Sequence, residues 1–142
     1  MHHEDRAGVN AFIRGIDRLG NGRLPAAVIM CTNRLGALDP AVKRRAADIL
    51  VFGRPDETQR LNVLAEPLRQ LGLSKPQIEA IVAATGAQNG RAYGFTFSDL
   101  TQRLLPTLVL DAYPERAITY ARAADIVKGM KPTPPFRDKD KG

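Results

Sequence analysis

The fold is decided by residues 32–60, which read TNRLGALDPAVKRRAADILVFGRPDETQR. Two short apolar runs belong to this part of the chain: PAAVIMC at 25–31 comes just before the stretch, and DILVF at 48–52 lies inside it. Hydrophobicity that is continuous rather than alternating is typical of strands covered on both faces, as in a parallel sheet. Both runs are therefore predicted to be buried strands.

Two helices are predicted beside these strands. Residues 5–19 carry apolar side chains at helical spacing, and Asp39 followed by Pro40 is typical of the start of a short helix over 40–45. The order helix, strand, helix, strand indicates an α/β domain. Because two short strands make a poor sheet on their own, we interpret residues 1–54 as the edge of a larger α/β domain.

After Pro55 the pattern becomes helical. Helices are predicted to start after Asp56, after Ser74, at Thr96 or Ser98, and at Pro114. The segment PTPPFRDKDKG at the end is rich in proline and charge, which favours a mobile tail. The predicted domains are thus 1–54, a helical domain over 55–129 and a flexible tail over 130–142, and the chain is mainly helical overall.

The composition places the chain among soluble globular proteins, since 44% of its residues are hydrophobic and 25% are charged. No apolar run reaches the ~20 residues of a membrane helix, and the first residues lack the apolar core of a secretory signal. The single Cys31 fits a reducing compartment, so we expect a cytoplasmic protein without a membrane partner. The net charge of +6 would suit nucleic acid, but arginines spread along helices favour ordinary solvated faces.

The order of these motifs resembles the second half of an AAA+ ATPase module. In that family a strand ends in a polar pair called sensor 1, which here would be Thr32-Asn33, and a segment like LDPA follows, here at 38–41. After another strand, a phrase like PDxxxR opens the helical lid, here at 55–60. The resemblance covers roughly residues 5–128. It implies an edge of a parallel P-loop-type sheet followed by a small all-α lid.

The resemblance also implies roles for three residues of the first part. Asn33 would orient the attacking water beside the γ-phosphate, although an Asn at this place also simply begins a turn. Arg44 or Arg45 would supply an arginine finger to a neighbouring subunit's nucleotide. The alternative for both arginines is a solvated basic helix end. Which of the two would be the finger stays open.

Ser98 and Asp99 stand where the family's lid lies near the adenine and ribose, so the resemblance implies a nucleotide contact there. The simple alternative is that Ser98 caps a helix and Asp99 lies in its first turn. Adjacent ligands on a chain end make a poor metal site, so His2 and His3 are not predicted to bind a metal, and no metal ligand is assigned.

The sequence contains no G-x-x-x-x-G-K-[ST] loop and no credible Asp-Glu pair at a strand end. By resemblance the chain is therefore a C-terminal fragment of an AAA+ ATPase, inactive alone, that contributes to ATP binding and hydrolysis in the complete protein. The implied cofactors are ATP and Mg²⁺ in that complete protein and none for the isolated chain. The implied partners are the missing N-terminal half, further copies in a ring, and a protein or nucleic-acid substrate. The alternative is a non-catalytic basic module that binds nucleic acid or an AAA+ ring.

Overall fold

The computed structural model describes residues 3–22, 25–88 and 90–135, with side chains from Arg6 onward. The predictions for His2 and for residues 136–142 of the tail lie outside these ranges. The chain divides between Val51 and Phe52 into two compact units. We call the part up to Val51 the N-terminal unit and Phe52–Pro135 the helical unit. The predicted limits of 1–54, 55–129 and 130–142 stay predictions.

The N-terminal unit holds a long helix α1 over His3–Asn21, a 3-10 turn over Leu35–Ala37 and a short helix α2 over Pro40–Lys43. The start of α2 is set by Asp39, whose side chain accepts a hydrogen bond from the Ala41 amide at 2.7 Å, with Pro40 in the first turn. This is the start that the Asp-Pro pair predicts, because proline lacks the amide that a first helical position leaves unused. Val42 is buried in this unit.

The two predicted strands are not formed. In the described ranges the structure has no strand, only an isolated bridge between Gln88 and Arg91. Residues 25–31 and 48–51 form no regular secondary structure and are exposed, with Ile29 87% and Val51 81% accessible. The sheet remnant is therefore a correction: a strand needs a neighbour for its backbone groups and a cover for its faces, and neither segment has them among the described residues of its own unit.

The helical unit contains α3 over Glu57–Gln70, α4 over Lys75–Ala84, a π-helical turn over Asp99–Leu104 that continues into α5 over Leu105–Asp111, and α6 over Tyr120–Gly129. Side chains fix the first two starts as predicted. Asp56 and Gln59 exchange side chain to backbone hydrogen bonds at the start of α3, and Ser74 is paired with Gln77 in the same way at the start of α4. Such capping boxes satisfy amide groups that a helix start leaves free.

One core lies between these helices. Its fully buried members come from every helix of the unit and from the loop before α5: Leu64, Leu68, Ile81, Phe95, Leu100, Leu104, Leu108 and Ala123. The loop approaches the end of α4 closely, since a side chain on Gly94 would lie 2.8 Å from the Thr85 carbonyl oxygen. The Phe95 amide donates to the same oxygen at 2.9 Å, and this places the Phe95 ring in the core.

The last helix starts later than its sequence pattern predicts. The expected start was Pro114, but α6 begins at Tyr120, with the Thr119 side chain accepting from the Arg122 amide at 3.3 Å. Arg116 has a left-handed backbone with φ 56°, a conformation that interrupts a helix. The intervening residues 112–116 form turns instead.

Candidate functional site

Asn33 lies in an exposed bend after the exposed segment 25–31. Next to it, the Thr32 hydroxyl accepts a hydrogen bond from the Arg34 amide at 3.0 Å, which closes a local turn. The alternative prediction, that an Asn at this position begins a turn, therefore agrees with the backbone here. The role of Asn33 beside a phosphate stays a prediction.

Arg44 and Arg45 differ in how firmly they are held. The Arg45 guanidinium forms a two-pronged ion pair with Asp17 of α1, at 2.7 and 3.0 Å, and also donates to the Ala41 carbonyl. Its hydrogen bond lowers the pKa of the Asp17 carboxyl. Arg44 makes a single hydrogen bond of 3.3 Å to the Pro40 carbonyl in the described part of the chain. Arg45 thus links α2 to α1, and Arg44 is the more available cation of the pair.

The motif PDETQR at 55–60 has a structural explanation. The Arg60 side chain is 8% exposed, and its Nη1 donates to the Pro55 carbonyl at 2.9 Å, while Nε reaches the Val82 carbonyl at 3.4 Å. Its guanidinium also lies where a side chain on Gly86 would be, 2.8 Å from such a Cβ. A rigid donor with several N–H groups can join the entry of the unit to the end of α4 in this way.

Asp99 is the most enclosed charged group of the helical unit, with a side chain 1% exposed. It exchanges hydrogen bonds with Thr96: the Thr96 amide donates to its carboxylate, and the Asp99 amide donates to the Thr96 hydroxyl, both at 3.0 Å. Thr96 is therefore the capping residue of this helix. Ser98 is exposed and makes no capping hydrogen bond, so the predicted cap at Ser98 is replaced by the Thr96–Asp99 pair.

Three more hydrogen bonds converge on the Asp99 carboxylate. The Thr133 amide and hydroxyl donate at 2.9 and 2.6 Å, and Arg103 donates at 2.7 Å. Burial raises the pKa of Asp99, but the hydrogen bonds from Thr133, Thr96 and Arg103 outweigh it and hold this pKa well below its usual range. The carboxylate is ionised and saturated with donors from its own unit. Nucleotide contacts of Ser98 and Asp99 stay a prediction.

Arg54 belongs to the same cluster, although no sequence motif points to it. Its guanidinium donates to the Gly94 carbonyl at 2.7 Å and to the Thr133 carbonyl at 2.6 Å, and it lies 4.6 Å from the centre of the Tyr93 ring. Thr133 is 79 positions away in the chain, so local spacing could not reveal the contact. The Thr-x-x-Asp spacing of Thr96 and Asp99 was the available signal for the other half of the cluster.

A second feature of the helical unit is an apolar face on α5 and the turn after it. Val109, Leu110 and Tyr113 are 52%, 75% and 76% exposed, and their spacing puts them on one side of the helix. Leu104 and Leu108 of the same segment are fully buried on the opposite side. We call the three exposed side chains the α5 face.

The side chains of residues 6–22, 25–88 and 90–135 contain no group of three His, Cys, Asp or Glu that could hold a metal ion. Within these ranges the Asp99 carboxylate accepts its hydrogen bonds from Thr96, Thr133 and Arg103. ATP and Mg²⁺ in the complete protein stay predictions.

The chain is similar to CD-NTase-associated protein 6. It is 58% identical over 139 residues to that protein from Escherichia coli strain MS 115-1, and 39% identical over 137 residues to that from strain KTE188. These alignments cover 98% and 96% of this chain but only 45% and 46% of the relatives, so the chain spans less than half of their length. No family model matches the chain.

Solved structures that resemble this chain agree with these sequence relatives. A chain of the E. coli MS115-1 HORMA:CdnC:Trip13 complex superposes with a TM-score of 0.90 and 58% identity, over 96% of this chain and 45% of that one. A Rhizobiales Trip13 structure gives a TM-score of 0.80 and 63% identity, over 91% and 48%. Since Trip13 is an AAA+ ATPase, the resemblance in the sequence has a counterpart among the structural neighbours.

The comparisons correct the functional expectation. The relatives are named for their association with a CD-NTase, and the matched complex is named for the proteins it assembles. These names describe proteins of an assembly, and they do not bear out the expected ATPase fragment or the alternative of a basic module for nucleic acid or an AAA+ ring. The expected part in ATP hydrolysis and the arginine finger at Arg44 or Arg45 are likewise not supported.

Among the helices in the described part of the chain, none combines the length and the apolar character needed to cross a membrane.

Proposed function

We propose that this chain is part of a CD-NTase-associated protein and works by assembling with partner proteins, of the kind named in the HORMA:CdnC:Trip13 complex. One observation carries the proposal: 58% identity over 139 residues to a protein named for that association, together with a TM-score of 0.90 to a chain of that complex. At this level of identity the surfaces are also expected to be similar, which supports a similar kind of partner.

The N-terminal unit supports an assembly because of its exposed apolar segments. Ile29, Leu50 and Val51 are more than two thirds exposed, whereas free surfaces rarely keep large apolar side chains together. The matched relatives are more than twice as long as the aligned region. We propose that residues 25–31 and 48–52 become strands of a parallel sheet when they pair with that additional polypeptide, which would cover both faces and satisfy the backbone.

The helical unit supports an assembly in a different way. Its core is complete, and yet the α5 face exposes Leu110 and Tyr113 by about three quarters. Large side chains of this type, and tyrosine above all, are common at the centres of protein interfaces. We propose that the α5 face contacts a partner protein in the assembly.

The experiment uses the full-length protein that contains this sequence, mixed with its CD-NTase and HORMA partners. Leu110→Ser with Tyr113→Ser should weaken the association at least about tenfold in isothermal titration, because truncated interface anchors cost about 2 kcal/mol or more each. Lys128→Ser is the matched control, an exposed position on α6 that should bind as the wild type does.

Three results are informative. No association by the wild-type protein would refute the proposed function. Normal association by the double variant would refute the role of the α5 face. Loss of self-association with normal partner binding, measured by sedimentation, would assign this face to copies of the same protein instead. The substituted positions are exposed, so an unchanged melting curve is expected and identifies a binding effect.

A further inference from the structure

The segment Lys131–Pro135 follows α6 and is held by three side chains of the helical unit. Asp99 accepts from both the amide and the hydroxyl of Thr133, and Arg54 donates to the Thr133 carbonyl. Arg103, which also pairs with Asp99, donates to the Lys131 carbonyl at 3.1 Å. Pro132 between them is buried. A five-residue segment outside the helices is thus fixed at three consecutive positions.

The contact partners come from distant parts of the chain. Asp99 begins the π-helical turn, and Arg54 stands only three positions after Val51, where the chain divides into its two units. Arg54 holds both the Thr133 carbonyl and the Gly94 carbonyl, so one guanidinium joins the entry of the unit, the loop before α5 and the segment after α6. Its position over the Tyr93 ring restricts its rotation further.

The cluster depends on each of its hydrogen bonds. The Asp99 carboxylate is buried, and a buried charge is stable only if its donors stay in place. Release of Thr133 would leave Asp99 with fewer hydrogen-bond donors. The Arg54 guanidinium would lose one of its two carbonyl acceptors at the same time. The two ion-dipole contacts are therefore coupled through Thr133, which accepts from one partner and donates to the other.

We propose that Lys131–Pro135 is a latch that controls the mobility of residues 52–56, the stretch by which the chain enters the helical unit. When the latch is seated, Arg54 is fixed and the entry stretch follows one path. When it is released, Arg54 loses its second carbonyl, and the entry stretch and the loop before α5 become mobile together. The latch acts inside the helical unit and does not depend on the proposed partner contacts.

The test uses Thr133→Val in the 142-residue chain, in which Phe52 is exposed; this change removes the hydroxyl but keeps the size and the branched shape. Chymotrypsin cleavage after Phe52, a 92% exposed residue, should become roughly tenfold faster, because one hydrogen bond to a charged group is lost. Amide hydrogen exchange should rise at Thr96 and over 52–56, and it should stay unchanged in the middle of α4. Thr107→Val is the matched control: an exposed threonine whose hydroxyl donates to a carbonyl of its own helix.

A second variant tests the coupling. Arg54→Lys keeps the charge but not the fork that reaches two carbonyls, so it should increase cleavage after Phe52 as Thr133→Val does. Thr133→Val removes the bond to Asp99 and Arg54→Lys weakens the bond to the Thr133 carbonyl, and both changes release the same segment. The double variant should therefore be no faster than the faster single variant. Cleavage of Thr133→Val at the wild-type rate would overturn the latch. So would additive single effects, or exchange that rises equally in α3 and α4, because these results indicate general destabilisation.

Discussion

Residues 25–31 and 78–84 are both short apolar segments, PAAVIMC and IEAIVAA, and their environments are opposite. The first is exposed and forms no regular secondary structure, while the second belongs to α4 and places Ile78, Ile81 and Val82 in the core. Helix α4 begins at a capping box formed by Ser74 and Gln77 three positions apart, and it satisfies its own backbone. The backbone groups of the first segment have no such regular partners and need water or a neighbouring strand.

The two segments therefore differ in how far along the chain their packing partners lie. A helix with a cap and an apolar side needs partners a few tens of residues away, and the helical unit contains them all. A strand of a parallel sheet needs neighbours that are remote in the chain. Substitutions in the two units should therefore differ in their effects on stability.

Core truncation should separate the two units most clearly. Leu64→Ala removes a fully buried side chain of α3, and we expect it to lower the free energy of unfolding of the helical unit by about 2–5 kcal/mol. Ile29→Ala at the exposed segment should change that free energy by no more than about 0.5 kcal/mol. Chemical denaturation of the chain, followed by circular dichroism, measures both. Similar costs at the two positions would show that the contrast between the units is not real.

The buried carboxylate of Asp99 should give the next effect, and a pH dependence with a definite sign. Because its pKa is lowered in the folded state, Asp99 contributes stability above the unfolded pKa near 4, and that contribution is lost as the pH falls further. Asp99→Asn should cost about 1.5–3 kcal/mol at neutral pH and should flatten the loss of stability below about pH 4. Unfolding curves between pH 7 and pH 2 would measure this, with Asp125→Asn on the exposed side of α6 as the control. A parallel pH profile for Asp99→Asn and wild type would contradict the assignment.

The smallest effect is expected in the N-terminal unit. Arg45→Gln removes an exposed ion pair with Asp17, and such pairs contribute little to stability, so the melting temperature should hardly change. The pKa of Asp17 should rise toward its ordinary value, because its hydrogen bond from Arg45 is the main cause of the lowering. Carboxyl carbon NMR titration measures this pKa. Arg44→Gln should leave the Asp17 titration unchanged, and an equal rise in both variants would place the wrong arginine in the pair.

The helical unit could be predicted from the sequence because its signals are local. The caps at Asp56 and Ser74 and the Asp-Pro start of α2 lie within a few residues of the groups they satisfy. The predicted start of α6 at Pro114 is wrong, because the left-handed backbone of Arg116 cannot be predicted from the residues beside it. Only half of the cluster around Asp99 is predictable from the sequence. The Thr96–Asp99 spacing predicts the cap, whereas Thr133 and Arg54 reach the cluster only through the tertiary fold.

The two predicted strands do not form, because what they need is not local in the chain. Their pattern is that of covered strands, and the apolar character of Val28 and Leu50 is correctly read, but burial needs polypeptide that their own unit does not contribute. The site residues predicted by resemblance depended on the same missing surroundings. Asn33, Arg44 and Ser98 are exposed, and their roles at a nucleotide stay predictions.

The contact between Arg54 and Thr133 also has a consequence for the order of folding. Helix pairs such as α3 and α4 meet through short loops, and such local contacts form within microseconds to milliseconds. A contact that spans 79 positions requires a much larger loop to close, with a correspondingly greater entropy cost. The helices can therefore assemble first, and the seating of Thr133 completes the unit last, as the step after which the entry stretch stops moving.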